Sequence, residues 1–269
     1  MPTPELDRLR AALHRIGPVV VAFSGGVDSA LLAHVARSTL GRAGAVAATA
    51  VSASLAADEL ADCARMAADW DLDWRQVHTD EISRPAYVAN DGDRCYHCKA
   101  SLMDALAPLA RDAGATVVLG VNLDDLGDHR PGQRAAADAG ARFPYVEAGL
   151  TKAEVRAAAR RLGLDVWDKP AAACLASRVP YGTPVTLGTL DRVARAEAAL
   201  RRLGLRQLRV RHYGEVARIE VPVDDLPAVV AARTAVVDAV RAAGYAYVTL
   251  DLEGFRSGNL NAALGTAPA

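Results

Sequence analysis

The sequence predicts an α/β chain in which a parallel-sheet domain over residues 1–180 is followed by a smaller C-terminal α+β domain over 186–269. Three observations carry this expectation. In the first half, short β-branched runs alternate with longer alanine- and leucine-rich stretches, the period switch of repeated β-α units. The run Thr116-Val117-Val118-Leu119-Gly120-Val121 is continuously apolar, as a strand buried on both faces requires. From Thr186 the order changes to helix, two strands, helix and strand, and residues 166–185 before it hold three prolines, which mark a hinge or an inter-domain seam.

Taken along the chain, the first domain is expected to run helix 4–15, strand 19–23, helix 28–39, strand 45–51, helix 56–70, strand 74–78, helix 99–113, strand 116–121 and helix 152–162. Thr151 and Glu154 form a capping box, so the start of the last helix is well marked. The second domain is expected to run helix 187–203, strands 207–212 and 216–221, helix 226–243 and strand 245–250. No fixed-period repeat interrupts this pattern.

Composition narrows the function. With 51% hydrophobic and 23% charged residues in 269, the chain is neither disordered nor collagen-like. A net charge of -1 provides no global field for nucleic acid or an anionic membrane, so neither is an expected partner. No apolar run reaches the roughly 20 residues of a membrane span, and the N-terminus lacks an export pattern, which points to the cytoplasm. In a reducing compartment the four cysteines are not expected to form a disulfide frame; thiol or metal chemistry is the question they raise. Only Lys99, Lys152 and Lys169 among the 31 basic residues are lysines.

The strongest local signal is an apolar strand running into Ser24-Gly25-Gly26-Val27-Asp28-Ser29 and then a helix. Adjacent glycines let backbone amides turn against an anion, and the helix N-terminus adds its positive dipole end. Ser24 and Ser29 can donate hydroxyl hydrogen bonds to phosphate oxygens. The Asp28 carboxylate would repel a phosphate unless Mg2+ lies between them. The lysine of a Walker loop is absent. Read blandly, the same residues make a serine-capped glycine turn.

Cys95 and Cys98 are three apart in Arg94-Cys95-Tyr96-His97-Cys98-Lys99, a spacing that serves zinc, iron-sulfur and redox thiols alike. Cys174 falls in the proline-rich seam, flanked by Lys169, Ser177 and Arg178, and Arg178 is of a kind to lower a thiol pKa. Three cysteines on a cluster would leave one iron open for an extra sulfide; with His97 or Cys63 added they would close a zinc site. His97 reads more readily as a packing residue, and Cys63, inside a helical pattern, as a buried small hydrophobe. After strand 116–121 come Asp124 and Asp125, at the carboxyl end of a parallel strand where nucleotides bind, so either could help hold Mg2+ or the nucleotide.

The Ser24–Ser29 stretch looks like the PP-loop of the ATP pyrophosphatases, the adenine nucleotide α-hydrolase-like fold. Together with 94–99, with 120–132 including Asp128-His129-Arg130-Pro131-Gly132, with 167–182 around Cys174, and with 208–220, it resembles the LarE family through nearly the whole chain. These are ATP-dependent sulfurtransferases of nickel-pincer nucleotide biosynthesis.

The resemblance implies that a pyridinium-3,5-biscarboxylic acid mononucleotide is adenylated on each carboxylate in turn and its oxygen replaced by sulfur. Ser24, Gly25, Gly26, Asp28 and Ser29 would hold ATP and Mg2+, and Cys174 would handle the sulfur. In one branch that cysteine sacrifices its own sulfur; in another, three cysteines hold a 4Fe-4S cluster, and Cys95 and Cys98 make this chain resemble the second. Arg209 and Arg211, two apart on one strand face, with Arg178 become candidates for the substrate 5'-phosphate. Without the family an exposed arginine pair would be the plainer reading. A homo-oligomer and a sulfur-donor protein are further implied partners. Rival readings are a tRNA thiolase, which the charge balance disfavours, an ammonia-transferring synthetase, which would leave the cysteines idle, and an ATP-sensing module.

Overall fold

The computed structural model describes residues 3–127, 131–170 and 173–256. The chain divides into two compact units, Met1–Glu81 with Cys95–Ala172, and Ile82–Arg94 with Ala173–Ala269. Among the described residues no helix is long and apolar enough to cross a membrane.

In chain order the elements are α1 (Pro4–Ile16), β1 (Val19–Ala22), α2 (Val27–Gly44), β2 (Ala45–Val51), α3 (Ala57–Asp69), β3 (Asp73–His78), α4 (Pro85–Ala89), α5 (Arg94–Asp112), β4 (Thr116–Val118), α6 (Pro131–Asp138), α7 (Pro144–Glu147) and α8 (Lys152–Arg161). There follow α9 (Leu187–Arg202), β5 (Arg209–Tyr213), β6 (Val216–Glu220), α10 (Leu226–Ala231), α11 (Arg233–Ala242) and β7 (Tyr247–Leu250).

The first unit is built on a parallel sheet of order β3-β2-β1-β4. Strand alternation divides its valines between two cores. Val19 and Val21 join α1, α2 and α8 on one face, while Val20 packs with Met103, Leu106 and Val117 on the other. Burial on both faces explains why β1 reads as an unbroken apolar run. The order also reverses between β1 and β4, the place where parallel α/β sheets open a crevice at their carboxyl ends.

The second unit has a three-stranded sheet, β5 antiparallel to β6 and β6 parallel to β7. Its core joins Ala196 and Leu200 of α9, Val210, Ala217 and Ile219 of the sheet, and Val236 and Val240 of α11. Residues 82–94, which pattern alone assigned to no element, belong to this unit. Asn90, fully buried with φ 59, donates from Nδ2 to the carbonyls of Pro180 at 2.7 Å and Thr183 at 2.8 Å.

Several expected boundaries differ. Helix 99–113 begins at Arg94, so Cys95 and Cys98 lie in its opening turns. Strand 116–121 ends at Val118, after which Leu119 donates to the Arg142 carbonyl at 3.0 Å rather than extending the ladder. Helix 226–243 divides at Ala232, whose ψ of 15 leaves the helical range.

Candidate nucleotide site and thiol segments

β1 delivers the chain directly into Ser24–Ser29 at the reversal point, and Gly26 is the N-cap of α2. Gly25 has two reasons to be glycine. Its φ is +71, and an added Cβ would lie 2.9 Å from the Cys63 sulfur and 3.1 Å from Met66 Cε. Gly26 has neither reason: its φ of -80 is ordinary and the nearest atom to an added Cβ is Ser24 Oγ at 3.8 Å. That side is open beside the amides at the start of α2, where a helix N-terminus can meet an anion. The two serines divide their work. Buried Ser29 donates to the Gly26 carbonyl and accepts the Ser24 N–H, each at 3.1 Å, so it braces the loop; Ser24 is exposed.

Asp28, in the first turn of α2, is met from two directions that sequence reasoning missed. Lys152 Nζ pairs with its carboxylate, and Asn122 Nδ2 donates to Oδ1 at 3.3 Å. The Tyr145 hydroxyl donates to the Asp28 carbonyl at 2.7 Å, and burial, with the Asp28 charge added, holds that phenol well above its ordinary pKa. An added Cβ at Gly120 would lie 2.9 Å from the Asp28 carbonyl carbon, so this glycine permits the close approach of the β4 loop to α2. Asp125, expected to help hold Mg2+ or the nucleotide, accepts the Asn122 N–H on Oδ2 at 3.1 Å. Asp124 accepts the Lys152 N–H at 2.6 Å. Asp128, His129 and Arg130 of the same signature lie outside the described residues.

All four cysteines are free thiols. Cys95 is exposed and Cys98 half-buried, and three residues apart on α5 they share a face. Cys63 is fully buried on α3, and burial pushes its pKa up to about 11. It lies behind Gly25 as a packing residue, so it is no candidate ligand. Within each unit, the described residues bring no three His, Cys, Asp or Glu side chains together as a metal site. Brief iodoacetamide treatment of native protein stripped of any bound metal, near neutral pH, is expected to label Cys95 and Cys174 first and Cys63 only after denaturation. Peptide mass mapping checks this, and early labelling of Cys63 contradicts its assignment as a core thiol.

In the second unit Cys174 is exposed and precedes a single turn, Leu175–Arg178. Arg178, expected as a third phosphate cation, is buried and has its donors engaged. Nε and Nη2 bond the Glu197 carboxylate at 2.8 and 3.0 Å, while Nη1 bonds the carbonyls of Ala173 at 2.6 Å and Cys174 at 3.1 Å. It therefore fixes the backbone that carries the thiol, and its guanidinium meets the Cys174 carbonyl. Arg94 Nη1 reaches the Ala176 carbonyl of the same turn at 2.9 Å.

Arg209 and Arg211 are buried, which removes the plain reading of an exposed pair. Arg211 donates to Glu220 at 2.7 Å and to the Ser177 carbonyl at 2.8 Å, leaving buried Nε without an acceptor. Burial and then the charges of Arg178 and Arg211 hold Arg209 down to about 10, an effect that Glu197 and Glu220 do not offset. Glu197 and Glu220, unremarkable in sequence, are fully buried counter-ions. The surplus of positive charge, with an orphaned donor, suits an anionic ligand.

A Ser-Gly-Gly-x-Asp-Ser loop at the reversal point of a parallel sheet, leading into a helix, defines this chain as an α/β protein with a PP-loop domain and a smaller α+β unit. No family model matches the chain. It is 47% identical over 264 residues to the uncharacterized protein slr1717 of Synechocystis sp., covering 97% of this chain and 98% of that one. It is 37% identical over 260 residues to the pyridinium-3,5-bisthiocarboxylic acid mononucleotide synthase of Lactiplantibacillus plantarum, covering 96% and 94% respectively. A third relative, the uncharacterized protein MJ0830 of Methanocaldococcus jannaschii, is 25% identical over 240 residues, covering 89% and 91%. The chain belongs to the LarE family.

Proposed function

We propose that this protein is an ATP-dependent sulfurtransferase that converts the two carboxylates of a pyridinium-3,5-biscarboxylic acid mononucleotide to thiocarboxylates, for a nickel-pincer nucleotide cofactor. The observation that carries the reading is the Ser24–Ser29 cradle, open at Gly26 and lined by Asp28, at the carboxyl ends of β1 and β4. The chain's likeness to the pyridinium-3,5-bisthiocarboxylic acid mononucleotide synthase of Lactiplantibacillus plantarum supports it.

In the reaction a substrate carboxylate oxygen attacks the α-phosphorus of ATP, pyrophosphate leaves, and a sulfur nucleophile then attacks the acyl carbon and expels AMP with the former carboxylate oxygen. Backbone amides at Gly25 and Gly26 and the Ser24 hydroxyl stabilise charge on the transferring phosphoryl group. Asp28 would hold Mg2+, which would neutralise phosphate charge; Asn122 orients that carboxylate, and Asp125 braces Asn122. Arg209 and Arg211 take the substrate's 5'-phosphate, and Arg178 holds the Cys174 backbone in place.

We further propose that Cys95 and Cys98, three apart on α5, and the exposed Cys174 would be the thiolate ligands of a 4Fe-4S cluster. Such a cluster would supply a transferable sulfide at its open iron. Free thiols of this kind suit a cytoplasmic protein, and homo-oligomers and a sulfur-donor protein complete the reading.

The test is anaerobic. Purified protein with MgATP and the biscarboxylate nucleotide is assayed for pyrophosphate, AMP and thiocarboxylate, with visible absorption and the mass of the Cys174 peptide followed in parallel. Pyrophosphate release that needs the nucleotide, together with a brown absorption lost in Cys95→Ala, supports the cluster version. Loss of hydrogen sulfide from Cys174 identifies the sacrificial version, and no nucleotide-dependent pyrophosphate at all rejects the function.

A further inference from the structure

We infer that Lys152 is the phosphate cation of the loop, stored on Asp28 in the free protein and transferred to the pyrophosphate oxygens of bound ATP. The inference rests on the ATP-dependent reaction proposed above. Residues 19–33, which span β1, the loop and the first turns of α2, include no basic side chain. From local sequence a bound triphosphate therefore meets backbone dipoles and serine hydroxyls but no cationic side chain, and leaving pyrophosphate builds up charge that a cation would share. The tertiary fold brings one. Lys152 is 124 residues from Asp28 in the chain, yet its ammonium rests on the Asp28 carboxylate.

The root of Lys152 is fixed by backbone contacts, and its ammonium is paired with the Asp28 carboxylate. Thr151 and Glu154 close the capping box of α8, the Lys152 N–H donates to Asp124 at 2.6 Å, and Leu123 N–H donates to the Leu150 carbonyl at 3.0 Å. The ion pair is only partly buried, with the Lys152 side chain 35% and the Asp28 side chain 25% exposed, so water screens part of its attraction. Were Asp28 to hold Mg2+ as the proposed reaction requires, the metal charge would repel the ammonium toward a nearby anion, and Asn122 would still orient the carboxylate.

The choice of side chain agrees. In a chain where 31 basic residues include three lysines, a lysine at this position is a departure from near-universal arginine. A compact ammonium on a flexible stem moves between a carboxylate and a phosphate, whereas a guanidinium locks a carboxylate in a fork.

Calorimetric titration of the full-length protein with Mg-pyrophosphate, MgATP and AMP tests the assignment. Lys152→Gln is expected to weaken pyrophosphate and ATP by about ten- to a hundredfold while AMP affinity stays within about twofold, and Lys152→Arg is expected to be intermediate. AMP affinity and the circular dichroism spectrum report that the variant is folded. Unchanged pyrophosphate affinity in Lys152→Gln overturns the inference, as does an equal loss for AMP, which would mark a purely structural role. Wild-type protein that binds neither ATP nor pyrophosphate rejects the ATP-dependent function itself, and this assignment with it.

Discussion

Glu197→Ala is expected to destabilise the second unit by about 3–5 kcal/mol, because it strands a buried arginine without its counter-ion. Glu197 is fully buried on α9 and accepts from Arg178 twice, from Arg201 at 3.0 Å and from the Val210 N–H at 3.0 Å. Removing it leaves a charged guanidinium and a strand N–H unsatisfied in one step. Glu197→Gln keeps a hydrogen-bond acceptor and is expected to cost less. A urea midpoint for Glu197→Ala equal to that of the wild type contradicts the network. The effect also extends to chemistry, since Arg178 Nη1 fixes the Ala173 and Cys174 carbonyls. Proteolysis near the turn Leu175–Arg178 is expected to quicken in the variant under conditions where α9 remains folded.

The second large effect is on activity. Asp28→Asn is expected to lower the rate of pyrophosphate release by about 10²–10³, or ~3–4 kcal/mol of transition-state stabilisation. The amide retains the size of the side chain and the chance to bond Asn122, so the fold should be little changed. What it loses is the negative charge that pairs with Lys152 and that, in the proposed reaction, would attract Mg2+. Single-turnover pyrophosphate release across a range of Mg2+ concentrations measures the change, and raised Mg2+ should recover part of the rate. A variant as fast as the wild type at low Mg2+ would remove Asp28 from the metal-binding role. AMP affinity gives the control, because it depends less on the Mg2+-phosphate contact.

The loop and its surroundings were readable to different depths. The strand, the Ser24–Ser29 turn and α2 follow one another within a dozen residues, and each obeys a local rule: apolar run, paired glycines, helix start. The capping box at Thr151 and the buried character of Cys63 were legible for the same reason, each depending on neighbours three or four positions away. The start of α5 was not, because Cys95 and Cys98 read as a ligand motif before they read as one helix face. Arg209 and Arg211 looked like an exposed pair without the family resemblance, since nothing local announces that Glu197 and Glu220 will be buried against arginines.

Local pattern thus fixes the α/β class, the place of the Ser24–Ser29 loop and the residue types around it, because backbone preference and apolar periodicity act over a few residues. Folding alone chose which charges meet. Lys152 reaches Asp28 across 124 residues, Glu197 neutralises Arg178, and residues 82–94 join the unit that holds Cys174. Such pairings depend on how sheet order and helix packing bring distant segments to one point, and burial then makes each unpaired charge too costly to leave alone.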